Sequence, residues 1–340
     1  MEGKMKKALG VLILMLIVAG LLVAGGGRGR DSSLERVDFL LNWTITGDHA
    51  PYYVALEKGW YADAGLDVNV IVGQGSGYAV QAVEIGRVDL AIADAPVPIT
   101  MRERGANVKI IGVIFDKHPN SSFFWNNSGI RNPQDLAGRS VAVPATDGHK
   151  VMWPAFARMI GIDEDSVHFI NIDPAAKVSA LASRNADVVF ELFTALPFMQ
   201  AAIPREDLGH FIWSDYGFDI YAHSYITNDD TIRQRPEMLR TFLDVTYRAW
   251  EYTLNNPEEA IEILSRYHPI NRVEYLANLN VVMEFFKTDR YRNNGIGFID
   301  PERIRMTYDL VNLYQAPLSF PVTDVYDTRF LPSPMYRFNF

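Results

Sequence analysis

From Val37 onward, short apolar runs alternate with stretches of helical period for about 190 residues, and this alternation constrains the fold more than any other feature. A strand that is apolar along its whole length must be covered on both faces, so the pattern reads as βαβ units and a mostly parallel sheet. Strands are predicted at 37–42, 67–72, 88–93, 108–115, 140–143, 166–171, 187–191 and 221–226. Helices are predicted between them at 51–62, 78–86, 97–104, 149–160, 174–184 and 194–202, several opened by a Pro or Gly that suits a first turn. After Thr227 the texture changes to amphipathic helices at 236–254, 257–266, 271–287 and 301–314, with Pro236, Pro257 and Pro301 near their starts. These read as helical cladding. The tail from Pro317, punctuated by Pro321, Pro332 and Pro334, reads as irregular chain wrapped on a surface.

At 340 residues the chain has room for two lobes, or for one large domain with an appendage. Cysteine is absent, which excludes disulfides, thiolate metal sites, iron-sulfur clusters and a cysteine nucleophile. The formal charge of -9 disfavours a nucleic-acid partner, because a phosphate backbone needs a basic face.

Residues 1–30 read as a signal peptide and flexible linker. Lys4, Lys6 and Lys7 precede an apolar run from Leu9 to Ala24, which is shorter than the roughly 20 residues that span a bilayer. An uncleaved anchor is the alternative. Leu22, Val23, Ala24 and Gly25 resemble the approach to a lipoprotein cleavage site, but Gly26 stands where the lipid-bearing cysteine would be. Without these residues the chain keeps 27 basic against 40 acidic residues, so an acidic, exported domain is expected.

In open parallel sheets ligands bind beyond the carboxyl ends of the strands. The loops there are NWTITGDHA (42–50), GQGSG (73–77), DAPVP (94–98), PATDGHK (144–150) and ELFT (191–194). They carry Asp48, Asp94, Asp147 and Glu191 against one basic residue, Lys150, so the pocket suits a hydrogen-bond donor or a positive charge better than a bare anion. Trp43, Tyr52, Tyr78, Trp153 and Phe193 lie in or beside these loops, where flat rings could stack. Each also has a plainer reading. The aromatics suit core packing, Asp94 and Asp147 suit helix caps, His49 suits a solvated loop, and Glu191 is either a rim residue or a buried acceptor.

No catalytic constellation emerges. GQGSG lacks the last glycine of GxGxxG, where Tyr78 stands, and the lysine of a phosphate loop; it reads as a tight turn or a close backbone approach to a ligand. No GxSxG elbow accompanies it, no HExxH occurs, and the seven histidines are scattered without ligand spacing. No metal and no cofactor is called for.

Three segments, ALEKGWYADAGLDVNV (55–70), EIGRVDLAIADAPVPI (84–99) and NPQDLAGRSVAVP (132–144), resemble extracytoplasmic substrate-binding proteins of ABC importers, in the group serving sulfonates, nitrate and the pyrimidine precursor of thiamine. With FLLNWTITGDHAPYYVA (39–55) before them, the chain is most similar to the thiamine-pyrimidine branch. The resemblance implies a type II periplasmic-binding-protein fold: two α/β lobes joined by a two-strand hinge, with C-terminal helices. It places the crossovers near 116–121 and 217–224, lobe 1 at 31–118 and 222–340, and lobe 2 at 119–221. By position it carries ligand contact over to Trp43, with Asn42, Asp48, His49 and Tyr52 beside it, and further to Ser76, Asp94, Thr146, Asp147 and Glu191. Related fungal proteins of this fold make the thiamine pyrimidine from their own histidine and bound pyridoxal phosphate and carry a cysteine-rich motif; this chain has none. The expectation is therefore a monomeric receptor, not an enzyme, that hands a small molecule to a membrane permease with its ATPase. An aminopyrimidine comes first, a flavin second, and a sulfonate, taurine or nitrate third; an exported enzyme of the same fold is the remaining alternative.

Overall fold

The computed structural model describes residues 34–338, so the expectation for residues 1–30 lies outside the described residues. Ten strands form among them: β1 (Glu35–Leu40), β2 (Leu66–Ile71), β3 (Leu90–Asp94), β4 (Val108–Val113), β5 (Asn120–Trp125), β6 (Ser140–Ala142), β7 (His168–Ile170), β8 (Val188–Leu192), β9 (Leu208–Ile212) and β10 (His223–Asn228). They make two sheets of five with the same plan, β2-β1-β3-β10-β4 and β7-β6-β8-β5-β9. In each, three strands pair parallel, and one strand delivered from the other lobe, β10 or β5, runs antiparallel between its neighbours.

The alternation of apolar runs thus marks two mixed sheets rather than one mostly parallel sheet. Strands β5 and β9 were not predicted, and the reason is chemical. NSSFFW begins with three polar residues, yet it is a central strand. Its hydroxyls are satisfied internally: Ser121 Oγ donates to the Glu191 carbonyl at 2.7 Å, and Trp213 Nε1 donates to Ser122 Oγ at 3.0 Å.

The helices are α1 (Ala50–Glu57), α2 (Trp60–Asp63), α3 (Ser76–Glu84), α4 (Pro96–Glu103), α5 (Gly148–Met159), α6 (Lys177–Ala182), α7 (Leu196–Ala202), α8 (Asp229–Gln234), α9 (Pro236–Asn255), α10 (Pro257–Tyr267), α11 (Arg272–Glu284), α12 (Asp289–Asn294) and α13 (Pro301–Tyr314). Strand β3 shows why helices must flank the sheet on both sides. All of Leu90–Asp94 is buried; Leu90 and Ile92 enter the core under α9, while Ala91 and Ala93 enter the core under α3 and α4. Phe242 of α9 packs on Phe39 of β1 with ring centroids 4.9 Å apart, and burial of a side chain of that size contributes about 1.5–3 kcal/mol. The tail runs along the edge of β4, where Ile110 N donates to the Val325 carbonyl at 2.9 Å and Asp327 N to the Ile110 carbonyl at 2.8 Å. Pairing of this kind covers an exposed sheet edge.

The chain passes between sheets twice, after β4 and after β9, and one arginine holds both passages. Arg303 of α13, 3% exposed, donates from Nε to the Asp116 carbonyl at 2.6 Å and from a terminal nitrogen to Asp219 Oδ1 at 2.7 Å. Asp116 itself is fully buried and also accepts from Arg290 Nε at 2.7 Å. A lost partner there leaves charge uncompensated in the interior. Replacing Arg303 by Met is expected to cost ~3 kcal/mol, read as a shift in the urea unfolding midpoint. A shift below about 1 kcal/mol would mean that the crossovers are held by other contacts.

Candidate functional site

The loop after β1 approaches the glycine-rich loop so closely that side chains are excluded. A Cβ at Gly73 would lie 1.8 Å from the Leu41 carbonyl oxygen, and one at Gly75, whose φ is +111°, would lie 2.4 Å from the Thr146 carbonyl oxygen. Gly75 N donates to the Asn42 carbonyl at 2.7 Å. The close approach expected of GQGSG is made to the chain's own backbone from both lobes, and it fixes Asn42 and Trp43 at the cleft.

A hydrogen-bond chain then sets the protonation pattern. Thr46 N donates to His49 Nδ1 at 3.1 Å, so a neutral His49 carries its proton on Nε2, 3.1 Å from Asn42 Oδ1. Asn42 therefore turns its Nδ2 to His223 Nε2 at 3.0 Å, and His223 accepts there. Burial pushes His49 down to about 4 despite the nearby Asp48 carboxylate, so the ring is neutral at neutral pH. Burial also lowers His118 well below its ordinary value. Asp48 accepts from Thr46 Oγ1 at 2.6 Å.

The second lobe faces this with charge. Asp147 caps α5, accepting from His149 N at 2.8 Å and from His149 Nδ1 at 2.7 Å. Its other oxygen lies 2.6 Å from Lys177 Nζ, which also lies 3.3 Å from Glu191 Oε2. Burial would raise the Asp147 carboxyl, but the Lys177 ammonium and His149 outweigh it and hold the group well below the usual carboxylate range. Burial would likewise lower Lys177, and Asp147 with Glu191 raise it instead. The ammonium sits 4.4 Å from the centre of the Trp43 ring, a cation–π contact that joins the lobes.

Between the lobes lies a cavity of about 460 Å³, walled by Asn42, Trp43 and Asp48 on one side and by Lys177, Glu191 and Phe198 on the other. A pit of about 20 Å³ adjoins it, bordered by Ser76, Asp94, Asp147 and His149 and sharing Asn42, Trp43, Lys177, Glu191 and His223 with the larger space. Asn278 of α11, fully buried, bridges the two sides: its Oδ1 accepts from Gly47 N and its Nδ2 donates to the Thr194 carbonyl, both at 2.6 Å.

Of the residues expected at the site, Asn42, Trp43, Asp48, Ser76, Asp94, Asp147 and Glu191 line these two spaces. His49 lies behind Asn42 and orients it. Thr146 ties the lobes instead, donating from Oγ1 to the Gln74 carbonyl at 2.6 Å. Tyr52 is fully buried in the first lobe, its hydroxyl 3.0 Å from that of Tyr225, because the helical period of α1 turns it toward β1. Trp153 is core as well, packed on Phe190, and Phe193 stacks on Phe123. Tyr78 packs half-buried on the first lobe's core, with the Arg87 guanidinium over its ring. Lys150 borders a separate surface hollow. The cation of the site is Lys177, at the end of the loop NIDPAAK after the sixth predicted strand, a loop the sequence reading did not count among the site's. His223 and Asn278 were also missed; nothing in a strand or helix pattern singles them out. Among the described residues, no group of three or more His, Cys, Asp or Glu side chains is placed to hold a metal ion.

Two sheets of this order, two crossovers and a polar cleft between lobes define the periplasmic-binding-protein fold. The chain belongs to the NMT1/THI5-like family, whose profile matches residues 46–260. It is 25% identical over 256 residues to a formylaminopyrimidine-binding protein of Halalkalibacterium halodurans, covering 74% of this chain and 77% of that protein. It is 24% identical to a protein of Legionella pneumophila named 4-amino-5-hydroxymethyl-2-methylpyrimidine phosphate synthase, covering 90% of this chain and 95% of that one. It is 22% identical to the riboflavin-binding protein RibY of Chloroflexus aurantiacus, covering 96% and 98%. Among solved structures, the periplasmic aliphatic sulphonate binding protein SsuA of Escherichia coli superimposes with a TM-score of 0.62 at 15% identity, over 84% of this chain and 96% of that one.

The neutral His49 carries a pH signature. Its folded value lies below its unfolded one, so between about pH 6.5 and about 4 the unfolded chain binds a proton that the folded chain refuses, and stability falls as pH falls. His118 adds to the same loss. Thermal unfolding from pH 7 to 4 is expected to show a smaller drop for His49→Gln than for the wild type; an equal drop would mean that His49 is charged in the fold.

Proposed function

We propose that this protein is the extracytoplasmic receptor of an ABC importer and that it binds a small aromatic heterocycle bearing hydrogen-bond donors, an aminopyrimidine first. The observation that carries the reading is Trp43 set across the cleft from Glu191, with a cavity of about 460 Å³ between the lobes, within the usual range for small-molecule sites. Trp43 lines the cavity with an aromatic ring, and Glu191 and Asp48 offer acceptors to ring N–H and amino groups. The cation of the site, Lys177, already faces two carboxylates, so a sulfonate or nitrate would meet more negative than positive charge. The names of the relatives point the same way: one is a formylaminopyrimidine-binding protein. A flavin is the second reading, favoured by the volume of the cavity and by the relative named for riboflavin.

Closure over the ligand would use the contacts already made between lobes, with Asn278 as the clasp, and the loaded receptor would dock on a permease. Receptor action needs no turnover, and the site's carboxylates are engaged by Lys177, His149 and Ser76 rather than paired with a nucleophile.

The test is to express residues 31–340 in rich medium, denature the purified protein, and identify the released compound by absorbance and mass. An ultraviolet-absorbing pyrimidine, recovered unaltered, is the expected result; a yellow compound of flavin mass selects the second reading, and an aliphatic sulfonate overturns both. With the identified ligand, Trp43→Ala is expected to weaken binding by roughly 5- to 150-fold, equivalent to about 1–3 kcal/mol by analogy with base stacking. Unchanged affinity by titration calorimetry would remove Trp43 from the contact.

A further inference from the structure

The pit beside the main cavity holds acceptors that the protein does not satisfy. Asp94 is 4% exposed, and its Oδ2 accepts from Ser76 Oγ at 3.1 Å, but its Oδ1 has no hydrogen-bond donor. His223 Nε2, 3.3 Å away, cannot serve. The backbone amide of Thr46 forces the His49 proton onto Nε2, that proton commits Asn42 Oδ1, and Asn42 Nδ2 then takes the His223 lone pair. His118 is fixed in the same way: Asn120 N donates to its Nδ1 at 3.3 Å, which puts its proton on Nε2, and that nitrogen lies 4.0 Å from Asp94 Oδ1, beyond hydrogen-bond reach. Across the pit, His149 is 3% exposed with Nδ1 2.7 Å from Asp147 Oδ1; in the neutral ring Nδ1 donates there and Nε2 is an acceptor without a partner.

Two buried acceptors from opposite lobes therefore border a space of about 20 Å³, room for one water-sized group. Leaving such atoms unpaired costs about 1–3 kcal/mol each. The space is also closed to growth. A Cβ on Gly148 would stand 2.2 Å from Asp94 Oδ2, so the N-terminus of α5 sits against the pit without a side chain.

We propose that the pit is a subsite for a primary amino group on a short arm of the bound ligand, which donates to Asp94 Oδ1 and His149 Nε2 together. This rests on the reading of the larger cavity as the ring site, with which the pit shares Trp43, Lys177 and Glu191. A hydroxyl brings one hydrogen and satisfies one acceptor; a methyl group satisfies neither. The acidic surroundings, Asp94, Asp147 and Glu191 against Lys177 alone, favour the ammonium form of the amine. Sites built around buried acceptors discriminate strongly against analogues that lack the donor.

The test has two arms on the wild-type protein. In the first, methylammonium chloride is compared with sodium chloride at equal ionic strength by thermal unfolding; the expected result is a higher melting temperature with methylammonium, lost in Asp94→Asn and in His149→Phe, which keeps a ring against Trp213. In the second, 4-aminopyrimidines carrying aminomethyl, hydroxymethyl or methyl at the 5-position are titrated calorimetrically. The aminomethyl compound is expected to bind roughly 100-fold or more tighter than the methyl compound, with hydroxymethyl between them. Methylammonium acting like sodium, or three pyrimidines binding alike, overturns the subsite and leaves the pit to an ordered water. Stabilisation by methylammonium with no binding of any pyrimidine keeps the subsite and overturns the heterocycle reading instead.

Discussion

The cleft exists because the chain crosses between two sheets twice and both crossings meet at one buried arginine. Arg303 holds the Asp116 carbonyl and the Asp219 carboxylate, and Asp116, with no access to solvent, has Arg290 as a second partner. A buried carboxylate tolerates this position only while its cations stay in place. The helix that supplies Arg303 also leads into Gln315, which accepts from Thr100 of the first lobe at 3.0 Å and donates to the Val151 carbonyl of the second at 2.6 Å. The C-terminal helices, which belong to neither sheet, thus hold the hinge and part of the lobe contact.

Given that frame, the cleft is organised by a division of labour between its walls. The first lobe supplies, beside the carboxylates Asp48 and Asp94, a hydrogen-bond chain set from one backbone amide: Thr46 N sets His49, His49 sets Asn42, and Asn42 sets His223. The second lobe supplies charge, with Lys177 between Asp147 and Glu191. Trp43 lies against the ammonium and so couples the two walls. Both arrangements depend on exclusion of water. In a wetter cleft His49 would regain its proton near pH 6.5 and the ion group would be screened. A small ligand entering such a site meets donors and acceptors already oriented, which lowers the ordering cost of binding.

Much of the fold was legible along the chain. The apolar runs of β3, β4 and β8 announce themselves because strands covered on both faces are largely apolar, β1 and β2 because apolar residues recur between their polar ones, and the C-terminal helices because one stripe of each is buried. The loops after the first, second, third, fifth and seventh predicted strands do converge, since strand ends on one side of a sheet share an edge. Less legible was β5: NSSFFW reads as loop because its serines find partners only once β8 and Trp213 are beside it. Tyr52 reads as a ligand contact from its place beside the first loop, but the helical period turns it into the core, as it does Trp153, for which core packing was the plainer reading.

What the sequence by itself determined is the order of eight of the ten strands and of the longer helices, the absence of any thiol chemistry, and the excess of carboxylates that the cleft would carry, because each follows from residue type and local period alone. Only the tertiary structure decided that Lys177 would neutralise part of that excess, that His223 and Asn278 would reach the cleft, and that Asp94 Oδ1 would be left without a donor. Those outcomes depend on which residues distant in sequence are brought within a hydrogen bond of each other, with 181 positions separating Asn42 from His223 and 231 separating Gly47 from Asn278. A period of two or of 3.6 residues carries no information over such separations.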